Sequence, residues 1–165
     1  MGRALPSAIR MTDGDGRFRA AALAYLAYGI VYYVGGMYLI YQGVGVMGGG
    51  MTGGRRGSFI YWGILGLVPL LFIPYFVAAR RRWFERWVIS RRDFTRLVAI
   101  FLAIRALIVG QTAFMKGYGA SVAAPWGGVL ISFQAGATVF LVVTLAALVM
   151  VARAAWSRDA TDATQ

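Results

Sequence analysis

LVAIFLAIRALIVGQTAFM, residues 97–115, decides the fold. An apolar run of this length crosses the hydrocarbon core of a bilayer as a single helix. It holds no acidic side chain, yet Arg105 lies nine residues into it. A cation at mid-bilayer costs a few kcal/mol, so its charge must be shielded or used. Arg105 is therefore the strongest functional pointer in the chain.

The rest of the composition agrees with a bilayer setting. The chain is 59% hydrophobic and only 14% charged, against about 25% charged in soluble domains. Sixteen arginines and one lysine against six acids give a net charge of +11. A nucleic-acid binder would cluster such charge on a soluble face. Here the arginines separate long apolar runs, so no nucleic-acid partner is expected. The absence of histidine and cysteine removes disulfides, thiolate or histidine metal sites, and the commonest general base. Neither a cofactor nor a metal is expected.

Outward from residues 97–115, three further runs are long enough to cross about 30 Å of hydrocarbon: 20–42, 58–79 and 127–152. The expected fold is an all-α, integral-membrane four-helix bundle spanning residues 20–153. Tails 1–19 and 154–165 flank it. Placing both termini and the 80–96 loop on the cytoplasmic side puts thirteen basic residues inside and three outside, a strong positive-inside bias. Trp62 and Trp126 then mark the outer interface, and Trp83, Trp87 and Trp156 the inner one. This describes a multi-pass plasma-membrane protein of the bacterial inner-membrane type. The alternative for the first run is a cleaved signal peptide, but about 22 apolar residues exceed the usual h-region. All six acids fall on the inner side. The intramembrane acidic relays of proton-coupled transporters are therefore missing.

Small residues suggest how the helices meet. Ala22, Gly29, Gly36 and Gly43 recur every seven residues, and Gly128, Ser132 and Gly136 every four. Such seams let helix backbones approach closely in lipid, within the chain or between copies. Six of the nine tyrosines lie in the first run, with Tyr28, Tyr32 and Tyr33 deep inside it. Buried hydroxyls need partners, supplied by a polar helix seam or by a ligand pocket. Pro69 and Pro74 free the carbonyls of Leu65 and Leu70 in the second run. In the 80–96 loop, Arg81, Arg82, Trp83, Arg86 and Trp87 form a basic, aromatic segment suited to an anionic inner leaflet. Ser90 and Asp93 have the spacing of a capping box.

Three uses of Arg105 remain open: snorkelling to the inner face, locking helices together, or binding an anionic or quinone-like ligand. The ligand set would be Arg105, Gln134, Gln111, Tyr28 and Tyr32. The glycine-rich stretch 43–57 lacks the Gly-Lys-Ser/Thr of a phosphate-binding loop. Its Met47 and Met51 are weak candidates for Cu(I). Asp13-Gly-Asp15-Gly lacks the later ligands of a calcium loop and reads as a disordered turn. The leading expectation is a non-catalytic accessory subunit or self-associating bundle. The alternative is a membrane ligand-binding or transport protein built on Arg105.

Overall fold

The computed structural model describes residues 12–41, 56–79, 85–86, 88–114 and 121–157. Four helices dominate: α1 (Thr12–Tyr41), α2 (Arg56–Ala78), α3 (Arg91–Phe114) and α4 (Phe133–Trp156). α1, α3 and α4 are each long and apolar enough to cross a membrane. In α2 the described apolar stretch, Gly63–Ala78, is shorter, and the helix continues through both Pro69 and Pro74. α1 packs against α2 and α4, α4 also packs against α3, and α3 touches α2 only lightly.

The size gradient from inside to outside runs opposite to that of a soluble domain. The core is built largely from Ala21, Ala22, Ala99, Ala147, Ala154 and Ala155. The largest fully buried side chains are Val77, Val151, Thr95 and Thr144. Leu23, Leu71, Phe72, Phe101, Leu107 and Val142 point outward, each more than half exposed. In water such a perimeter would drive aggregation. In lipid it is the ordinary solution, because close contact between small residues, rather than exclusion of water, joins the helices. The buried threonines satisfy themselves within their own helices. Thr95 Oγ1 donates to the Arg91 carbonyl at 2.7 Å and Thr144 Oγ1 to that of Phe140 at 2.6 Å, which leaves no hydroxyl to be desolvated unpaired.

Glycines set the closest approaches of α1. A Cβ on Gly29 would collide with Leu70 of α2, and one on Gly35 with the ring of Phe140 of α4. Gly66 of α2 lies against the Tyr33 ring, and the Tyr33 hydroxyl donates to the Gly63 carbonyl at 3.1 Å.

Three expectations need correction. The last helix begins at Phe133 rather than Gly127, because Ser132 caps it by accepting the Ala135 N–H at 3.2 Å. The residues before it form a hairpin, β1 (Ser121–Ala123) with antiparallel β2 (Leu130–Ser132), pairing Val122 with Ile131. Gly127 and Gly128 make its turn with φ of +80° and +76°, a region that side chains with a Cβ resist. The Gly128, Ser132 and Gly136 spacing therefore does not make one helix face: Gly128 turns, Ser132 caps, and only Gly136 lies within α4. Finally, Asp13 to Gly16 are helical, not a turn. Acidic residues at a helix N-terminus are favoured by its dipole, and Asp15 is held from α3, as described below. Alanine at Gly128 is expected to cost about 1 kcal/mol, read as a lower midpoint in thermal unfolding of the full chain in detergent. An unchanged midpoint would contradict the turn geometry.

The hairpin is tethered to the end of α1, where the Tyr38 hydroxyl donates to the Ala123 carbonyl. At the opposite end, the capping pair foreseen for α3 forms. Ser90 Oγ accepts the Asp93 N–H at 3.1 Å and donates to Asp93 Oδ2 at 2.7 Å.

Candidate functional site

α3 presents two arginines to the interior at different depths, and each answers a different physical problem. Arg105 is half-buried and reaches across to α1, although α1 and α3 hardly approach each other as backbones. Its guanidinium lies over the Tyr32 ring, 4.5 Å from the centroid, and Nη2 donates to the Tyr32 hydroxyl. The Tyr28 hydroxyl lies close enough to interact with the same group. Ring contact and hydrogen bond together spread a charge that would otherwise stand bare among apolar side chains.

The two tyrosines belong to an aromatic ladder along α1. Tyr25 meets Tyr28 edge-on at 5.6 Å, Tyr28 stacks on Tyr32 at 6.0 Å, and Tyr32 meets Phe140 of α4 edge-on at 6.0 Å. Residues spaced three and four apart share one helix face, which is why 25, 28 and 32 line up. The ladder also borders a cleft of about 230 Å³ between α1 and α2. Gly29, Gly36, Met37, Pro69 and Leu70 complete its apolar walls.

Of the residues expected to bind a ligand, Arg105, Tyr28 and Tyr32 come together. Gln111 is exposed on α3, and Gln134 is half-buried in the first turn of α4. Of the expected packing set, Gly29 touches α2. A Cβ on Gly36 meets nothing within 4 Å, whereas its neighbour Gly35 carries the contact with α4. Of the lipid-surface set, Arg86 is exposed. Arg81, Arg82, Trp83 and Trp87 lie outside the described residues, as do Met47 and Met51.

The second arginine, Arg91, carries a role that sequence reasoning missed. It is only 8% exposed. Nε donates to the Val77 carbonyl at 2.8 Å and Nη2 to that of Ala78 at 3.0 Å, while Nη1 pairs with Asp15 at 2.8 Å. The guanidinium also lies 4.0 Å above the Phe18 ring. The last carbonyls of a helix have no partner within it, and a cation there also favours the dipole. One side chain thus ties the end of α2 to the starts of α1 and α3. Arg92 does the equivalent for α4, donating to the carbonyl of Ser157 just beyond its last turn. The signal available in sequence was three arginines, 91, 92 and 96, packed into the first turns of a helix whose dipole disfavours them there.

The fold and this site define a helical protein with apolar outer faces and polar groups turned inward to bind its helices together. The chain matches no known protein-family model, no characterised protein and no solved structure.

Proposed function

We propose that the chain is a non-catalytic, four-span integral membrane protein with both ends in the cytoplasm. It serves as an accessory subunit of a membrane assembly or as a self-associating bundle, in a plasma membrane of the bacterial inner-membrane type. The inverted size gradient carries this reading: alanines, valines and threonines make up most of the interior, while large side chains such as Leu23, Leu71, Phe72, Phe101 and Leu107 face outward. The charge distribution supports the orientation, with Arg17, Arg19, Arg86 and Arg153 exposed where an anionic inner leaflet would lie. Association is supported by Gly36, a small residue in an α1 seam whose Cβ position meets no side chain among the described residues. The lack of histidine and cysteine, with every acid placed at the helix ends or beyond, leaves little for acid–base chemistry in the bilayer.

A chain without cysteine suits single-cysteine labelling. In intact cells an impermeant maleimide is expected to modify Gly50→Cys and to spare Ser7→Cys and Thr164→Cys. The reverse pattern sinks the orientation. Extracted in mild detergent, the 17.9 kDa chain is expected to run as an oligomer or with a stoichiometric partner, and Gly36→Leu to release monomer. A wild-type monomer without a partner would refute the association reading.

A further inference from the structure

The cluster of Arg105, Tyr28 and Tyr32 has donors in excess of acceptors. A guanidinium offers five N–H groups and accepts nothing, and each phenol adds one O–H. Against these, the described residues supply the Tyr32 oxygen as acceptor to Arg105, with the Tyr28 hydroxyl nearby. No carboxylate among them pairs with Arg105; the described ion pairs are Arg91 with Asp15 and Arg96 with Asp93. In the apolar interior of a bilayer no water is at hand to fill the deficit. The complement of such a cluster is a group rich in acceptor oxygen.

Depth narrows the source. Arg105 lies fourteen residues beyond Arg91 and nine before Phe114, which is about 21 Å and about 14 Å along the helix axis. A headgroup anchored at either end of α3 stays out of reach. The partner must be a molecule that lies within the apolar layer. Space for its body exists beside the same tyrosines. Tyr28 and Tyr32 line both the Arg105 contact and the cleft of about 230 Å³, where the Cβ position of Gly36 faces open space. Access is available from the side, because α3 makes little contact with either α1 or α2 and Arg105 is only half-buried.

We infer that Arg105, Tyr32 and Tyr28 bind the oxygen-bearing head of an apolar amphiphile whose body lies in the α1–α2 cleft. Tyr32, with its oxygen occupied by Arg105, keeps its own O–H to donate to the head, and Arg105 donates a second bond to the same oxygen. A quinone carbonyl and a fatty-acid carboxylate share this chemistry. The first relies on the ring faces of the ladder, the second on the uncompensated charge. The inference rests on the membrane placement proposed above and goes beyond the structural role proposed there.

The test uses the full chain in phosphatidylcholine nanodiscs, titrated separately with decylubiquinone and with oleate. Saturable binding of either probe is expected, weakened at least tenfold by Tyr32→Phe, which keeps the ring and removes one hydroxyl, and by Arg105→Leu. The probe that binds identifies the head. Helical circular dichroism and elution volume establish that each variant is folded. Binding of neither probe by an incorporated, folded chain overturns this inference alone. Binding that Tyr32→Phe leaves unchanged does the same, whatever Arg105→Leu shows. A chain that does not enter nanodiscs overturns the membrane placement and this inference with it.

Discussion

Replacing Arg91 with leucine is expected to lower the stability of the folded chain by about 3 kcal/mol, the largest effect of any single polar substitution here. The change strands the Val77 and Ala78 carbonyls, which Arg91 now satisfies at 2.8 and 3.0 Å. It also removes the cation over Phe18 and the partner of Asp15. The carbonyls dominate the loss, since the Arg91 side chain is 9% exposed while Asp15 is 64% exposed, and an exposed ion pair is worth under about 1 kcal/mol. Asp15→Asn is therefore expected to cost little. Arg91→Lys should recover only part of the loss, because one ammonium cannot serve three acceptors held in a planar fork. Unfolding in mixed micelles, followed by circular dichroism against the fraction of denaturing detergent, ranks the three variants. Equal effects of Asp15→Asn and Arg91→Leu would mean that the ion pair, rather than the helix cap, holds this end together.

Adjacent glycines give the second large effect. Gly35→Leu forces a side chain into the ring of Phe140 and is expected to cost about 3 kcal/mol, the upper end for overpacking, by separating α1 from α4. A Cβ on Gly36 meets nothing within 4 Å and faces the open cleft, so Gly36→Leu should disturb unfolding of the single chain far less than Gly35→Leu. Its expected effect lies in association between chains. The same micelle unfolding, run beside light scattering, separates the two. If Gly36→Leu unfolds the chain as readily as Gly35→Leu, the packing of α1 on α4 described here is wrong.

This pair also shows how far the site was legible beforehand. The heptad spacing pointed to Gly29 and Gly36, and the first does meet α2 at Leu70 while the contact with α4 falls on Gly35. Neighbouring residues on a helix point about 100° apart. A repeat in the sequence names a face, but the partner that covers it is chosen by the packing of the whole. The tyrosine spacing named Tyr28 and Tyr32 in the same way, and the depth of Arg105 within its run marked it for attention. That Arg105 reaches the Tyr32 ring rather than a carboxylate or an end of the helix depended on which helices stand opposite.

From sequence alone come the apolar runs and their lengths, the arginine-rich ends, the absence of histidine and cysteine, and the Ser90–Asp93 cap. These follow from local composition and from contacts a few residues apart, which the chain carries with it into any fold. Tertiary structure decided that Gly127 and Gly128 turn a hairpin that shortens the last helix. It also decided that Asp15 belongs to α1 and that Arg91 closes α2. Those outcomes join residues far apart along the chain, such as Asp15 with Arg91. Carbonyls left open at one helix end take whichever donor the packing brings to them.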